Sequence, residues 1–206
     1  MALPNPLDNP SKTKRDNPKK GAHYARVVGI TDLGIQPARE WQGKTIEAAP
    51  RVEVTFELPN SKMEDGRPHW ISKKVPVGWN ISDTDPAFTS GMMRIVLAIN
   101  PEEDNMDAQI LNRCLTKPCQ VMVSHNEKGY ANIDSVTGVP DGTPIPELVN
   151  EPFVFDWATA TKEDFEALRS PLAKKSIKGA DNYATSPLKA RLEGVDASYA
   201  DEDLPF

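Results

Sequence analysis

The chain has 206 residues, a formal net charge of −6, 38% hydrophobic residues and 19 prolines. That is room for one domain with tails, and the modest apolar share with so many prolines says that part of the length is not packed. No run reaches the roughly 18 apolar residues of a membrane span and the start lacks the apolar core of a signal peptide, so a soluble, cytoplasmic protein with reduced thiols is expected.

Residues 1–20 carry four prolines, three asparagines and the bases Lys12, Lys14, Arg15, Lys19 and Lys20, with little that is apolar. This composition predicts a flexible basic arm. From Gly21 the pattern turns to strand. His23 to Ile30 is β-rich, and Thr31-Asp32-Leu33-Gly34 offers a bend or bulge before Ile35. In Arg51 to Leu58, Val52, Val54, Phe56 and Leu58 point one way, while Arg51, Glu53, Thr55 and Glu57 point the other. A turn at Asp65-Gly66 leads to a third strand from about His69 to Val77. Helical spacing of Met92, Met93, Val96 and Leu97 follows Pro86, and Asn100-Pro101 ends it. Met106, Ile110, Leu111 and Leu115 suggest a second short helix. Lys117 to Asn126 and Tyr130 to Val136 read as a hairpin turning near Glu127-Lys128-Gly129.

Three strands, a helix and two strands predict an all-β fold: a β-barrel with helical insertions, as a single OB-fold over residues 21–158. Phe153, Phe155 and Trp157 alternate as an added edge strand. Thr161 to Asp164 looks like a capped helix start, which places a helical C-terminal extension at 159–178. Beyond Gly179 small and polar residues dominate, so 179–206 is expected to be a flexible linker ending in an acidic tip. No internal repeat is visible.

Charge is uneven. Bases gather early, through Arg26, and acids concentrate at Glu102, Glu103, Asp104 and Asp107 and at the C-terminus. A basic face with a detached acidic tail suits a polyanionic ligand despite the negative total. Single strands of nucleic acid need a positive groove for phosphates and exposed rings on which bases stack. In an OB-fold that face spans the second and third strands and the loops flanking them. The first such loop holds Arg39, Trp41 and Lys44, and Arg51 begins the second strand on its outward face. Trp70 and Lys74 share the outward face of the third strand, with Lys73 at a rim position and Trp79 just past its end. Lys128 and Tyr130 belong to the hairpin beside the second loop. Glu53 and Glu57 count against a uniformly basic groove.

The C-terminal run Asp201-Glu202-Asp203-Leu204-Pro205-Phe206 places three acids before an apolar end. It resembles the acidic tip through which bacterial and phage single-stranded DNA-binding proteins dock replication and repair enzymes. The runs Tyr24-Ala25-Arg26, Ile30 to Gln36, Trp41-Gln42-Gly43-Lys44, Phe56-Glu57-Leu58 and Asp65-Gly66-Arg67-Pro68 resemble phage-encoded single-stranded DNA-binding proteins, over roughly residues 20 to 80. The resemblance implies an OB-fold, sequence-independent binding of single strands, and recruitment of replication, recombination and repair proteins by the tip. The longer basic arm, and a linker without Gly/Gln-rich repeats, depart from the bacterial pattern.

Catalysis has little sequence support. Gly43-Lys44-Thr45 lacks the glycine of a phosphate-binding loop five positions before Gly43, where Ala38 sits. His23, His69 and His125 are scattered. The acids at 102–107 suit a helix start better than a nuclease metal site. Cys114 and Cys119 have only His125 near, so buried thiols fit better than metal ligands, and no cofactor is expected. Two alternatives stay open: an OB-like protein-interaction or virion module, and a nucleic-acid enzyme such as a nuclease.

Overall fold

The computed structural model describes residues 16–41, 43–140 and 142–194, apart from the side chains of Trp41 and Pro86. Five strands form one antiparallel path: β1 (Gly21–Gln36), β4 (Ala49–Lys62), β5 (Pro68–Pro76), β6 (Pro118–His125) and β7 (Ala131–Thr137), in the order β5-β4-β1-β6-β7. A separate hairpin, β2 (Arg39–Trp41) and β3 (Lys44–Ile46), fills the connection from β1 to β4. Helix α1 (Gly91–Ile99) lies between β5 and β6 in sequence. The protein is therefore mainly β with a few helices.

The alternation read in β4 holds. Val52, Val54, Phe56 and Leu58 face an inner core shared with Ile71, Met93, Val96 and Val121. Each such side chain contributes about 1.5–3 kcal/mol on burial. Ser90 caps α1 by accepting from Met93 N, and Met92, Met93, Ile95, Val96 and Ile99 are its buried residues. The β1 bulge also forms: the register with β4 shifts between Asp32 and Ile35, and Asp32 accepts a bond from Gly34 N. Cys114 and Cys119 are free and buried, and burial pushes their thiols up to about 11 and about 12.

Four expectations need correction. First, the sheet is open. Among the described residues no ladder joins β5 to β7; the two end strands meet where Lys73 Nζ donates to Ile133 O (2.6 Å) and Asp134 O (3.1 Å). Second, the expected second helix is a set of turns with a short 3-10 segment at Asn112–Cys114. Arg113 organises it, binding Glu103 and Asp107 at 2.8 Å each, so those acids are partners of a cation and not a solvated helix start.

Third, the extension is larger than expected. Strand β8 (Phe153–Phe155) pairs in parallel with Gly29–Thr31 of β1, taking the edge that β6 leaves after Arg26. Helices α2 (Lys162–Ala167), α3 (Pro171–Lys178) and α4 (Pro187–Glu193) follow, with the capping box of Thr161 and Asp164 in place and prolines at the first turns of α3 and α4. Ala180, Tyr183, Leu188 and Leu192 lie in a second core with Leu33, Phe155, Phe165 and Ile177, so 179–194 is folded and not a linker. Two glycines of β1 admit this layer. The Phe153 ring occupies the space a Cβ on Gly29 would need, and the Trp157 ring does the same at Gly34, whose φ is +70°.

Fourth, the N-terminal arm is pinned from residue 16. Asp16 accepts from Glu64 N (2.6 Å) and faces His69 Nε2 (3.0 Å), Asn17 donates to Gly129 O, and His125 and His23 bond the carbonyls of Pro18 and Lys19. The remainder of the expected arm, residues 1–15, and the tip Asp201 to Phe206 lie outside the described residues. No helix of the described residues is long and apolar enough to cross a membrane.

Candidate nucleic-acid interface

A groove of about 840 Å³ runs along the outer face of β5. Its floor is Trp70, Ser72 and Lys74 with Glu53 of β4 beside them. One wall is the β4–β5 turn, where Asp65 accepts from Arg67 N (3.0 Å) and pairs with its guanidinium, leaving the Arg67 side chain 63% exposed. The second is the β6–β7 turn, in which Asn126 Oδ1 accepts from Lys128 N and Tyr130 N and presents Tyr130, 45% exposed. The third is the junction of α2 and α3, with Arg169 and Leu172. Asp16, Asn17 and Pro18 close the side where the arm enters. Arg67, Lys74 and Arg169 thus share the groove with Asp16, Glu53 and the Asp65 that pairs with Arg67, around a partly aromatic floor.

The residues expected to bind nucleic acid do not all meet here. Trp70 does, but its ring is not open. It stacks on Phe153 with centroids 5.9 Å apart and planes at 18°, the Arg169 guanidinium lies 4.0 Å from its centroid, and its Nε1 donates to Glu57. An exposed stacking platform is therefore corrected to a half-buried ring at the groove floor. Lys74 is also in the groove, where Nζ donates to Leu172 O (3.1 Å) and Ser176 Oγ (2.9 Å) and stands 3.7 Å from Glu53. Burial lowers its pKa, and Glu53 opposes that shift. Lys73 is on the other face, holding β7, so its rim position is corrected to a structural one; burial lowers its pKa as well. Tyr130 forms a groove wall, and Lys128 lies exposed in the same turn.

A second group sits at the far end of the sheet. Arg51 is six strand positions from Glu57, the partner of Trp70, or about 20 Å along β4. Arg51 is half-buried, and desolvation with the like charge of Arg39 lowers its pKa, an arrangement that an anion would relieve. Lys44 is exposed on β3. Trp79, 45% exposed, follows the bond from Val77 N to Pro50 O and so lies near the start of β4. The Trp41 side chain falls outside what the structure describes. Arg26 leaves the set of available bases, because its guanidinium bonds Thr116 O, Ile145 O, Pro146 O and Glu147.

Sequence reasoning missed Arg67, Arg169 and Phe153 as groove or floor residues. Asp65-Gly66-Arg67 is a legible turn, and an exposed base beside it could have been named. Arg169 and Phe153 carried no signal, since nothing local indicates that the extension folds back over β5.

The outward face of β4 is the larger surprise. Glu53, Thr55 and Glu57 are 3%, 4% and 0% exposed, because the segment from Val149 onward lies against them. Glu57 accepts from Val149 N (2.6 Å), Asn150 N (3.3 Å), Asn150 Nδ2 (2.6 Å) and Trp70 Nε1 (3.1 Å). Four donors satisfy a carboxylate that forms no ion pair among the described residues. Among the described residues no group of three or more His, Cys, Asp or Glu is placed to hold a metal ion. Comparison of the chain with protein-family models and with curated proteins finds no match.

Proposed function

We propose that the protein binds single-stranded DNA in the groove over β5, coating and protecting it without catalysis during phage DNA replication, recombination and repair in the host cytoplasm. The observation that carries this reading is the groove itself: exposed Arg67, Arg169 and Tyr130 around a Trp70 floor. Phosphates and bases have complementary places there, Arg67 and Arg169 for the one and the exposed Tyr130 ring for the other. Arg39, Lys44 and Arg51 extend the positive track at the far end of the sheet. The strand order β5-β4-β1-β6-β7, with a helix between β5 and β6, agrees with an OB-fold and supports that finer assignment. The acidic tip, Asp201 to Phe206, would recruit replication and repair proteins.

A filter-binding titration of single-stranded against double-stranded DNA tests the reading. Preference for single strands is expected, with log affinity falling against log salt by about 0.7 per phosphate contact. Equal weak binding of both, or no salt dependence, would remove it.

A protein-interaction module is the second reading, and one observation favours it. The loop from Gly78 to Ser90 is laced by Ser90 N to Asn80 O, Ser82 N to Thr89 Oγ1 and Ser90 Oγ to Gly78 O, yet it exposes Trp79, Ile81 and Phe88. That loop contains Asp83 and Asp85 and no base, which disfavours a phosphate backbone there.

A further inference from the structure

Beneath the α2–α3 junction a second cavity of about 230 Å³ adjoins the groove, sharing Glu53, Trp70, Ser72, Arg169 and Ser170 with it. It reaches inward to Thr31, Thr55 and Phe153. One water takes about 30 Å³ of liquid, so the space equals roughly eight waters and fits a single flat base, not a base pair.

Its polar lining includes a buried carboxylate and three hydroxyls, those of Thr31, Thr55 and Ser72. The Glu53 side chain is 4% exposed and pairs with Lys74, whose Nζ stands 3.7 Å from Oε2; a carboxylate has room to accept further N–H groups. Thr31, 1% exposed, brings a hydroxyl to the inner end of the cavity. Thr55 and Ser72 bond each other at 3.0 Å, which leaves each hydroxyl further capacity.

Resting on the single-strand reading, we infer that this cavity receives one unstacked base, and that it prefers guanine. A buried carboxylate accepts N–H groups. Guanine offers two side by side on its Watson–Crick edge, N1–H and N2–H, and places O6 where a hydroxyl of Thr31 or Ser72 can donate. Thymine offers one N–H between two carbonyls, which meet the carboxylate with like partial charge. Adenine and cytosine, with one amino group each, fall between. Coating remains general along the strand, and the cavity adds a preference at one nucleotide.

The test uses three otherwise identical strands: oligo-dT, the same with one central dG, and the same with inosine there, which lacks the N2 amino group. Fluorescence anisotropy should show the dG strand binding at least about fivefold tighter than oligo-dT, the gain expected of a bidentate base contact. Inosine should fall between them. Glu53→Gln, which swaps one acceptor for a donor at the same size, should erase the dG advantage, with thermal unfolding as the check that the variant folds. Equal affinity for all three strands overturns the base cavity and leaves the groove standing. No binding of any strand overturns both.

Discussion

Glu57→Gln probes how the outer layer is held on the sheet. The variant keeps shape and replaces one carboxylate oxygen by an amino group. The less costly placement puts that group at the Oε1 position, which among the described residues accepts only from Val149 N, because Oε2 accepts from Trp70 Nε1 and from both Asn150 nitrogens. A bond to a charged acceptor, about 1.5–3 kcal/mol, is then lost and two donors face each other, leaving a buried N–H unsatisfied at about 1–3 kcal/mol. Removing a buried charge recovers part of that. The net expectation is a loss of about 3 kcal/mol, or roughly 6–12 °C in Tm for a chain of this size. Differential scanning calorimetry reads the shift, and hydrogen exchange should quicken first at the amides of Val149 and Asn150. An unchanged Tm with unchanged exchange at those two amides would refute the view that Glu57 is the anchor.

Three other outcomes follow from the geometry. Lys73→Met retains the stem but loses the bonds to Ile133 O and Asp134 O; stability should fall by about 1–2 kcal/mol while affinity for single strands stays within about twofold. A large affinity loss with unchanged Tm would return Lys73 to the binding face. Gly29→Ala places a methyl group where the Phe153 ring lies, so it should displace β8 and raise protease sensitivity between Val149 and Phe155; unchanged digestion would contradict the packing. Asp16 has its pKa held below the ordinary 3.8, chiefly by the bond from Glu64 N and then by His69, against some desolvation. A depressed folded pKa stabilises above the unfolded value and is lost as pH falls through the folded one, so the clasp should open only below pH 3.8. Exchange of the Glu64 amide across that range, against Asp16→Asn, reads it; identical profiles would count against the clasp.

Much of the sheet was legible because one face of each strand enters a single core. Val52, Val54, Phe56 and Leu58 alternate strictly, and the period of two survives any register. The capping box at Thr161 is a local signal and was equally readable. What failed was long-range. Glu53 and Glu57 were placed on the outward face, counting against a basic groove, but a side chain and backbone more than ninety positions away cover that face and bond Glu57. Ala180, Tyr183, Leu188 and Leu192 have no helical period across the breaks around Gly179 and Pro187, so they looked like a linker. Trp70 was placed on the correct face, yet Arg169 and Phe153, which engage its ring, come from a segment whose docking leaves no trace in sequence. Adjacent Lys73 and Lys74 point to opposite faces, as strand geometry requires, and only the second lies in the groove.

The most direct test removes two exposed groove groups that lie outside both hydrophobic cores. Arg67→Ala/Tyr130→Ala should fold with an unchanged Tm and bind oligo-dT at least about tenfold more weakly, given about 1–3 kcal/mol for a stacked base, with a shallower salt slope. Wild-type affinity and an identical salt slope in that double variant would contradict the groove as the place where single strands bind.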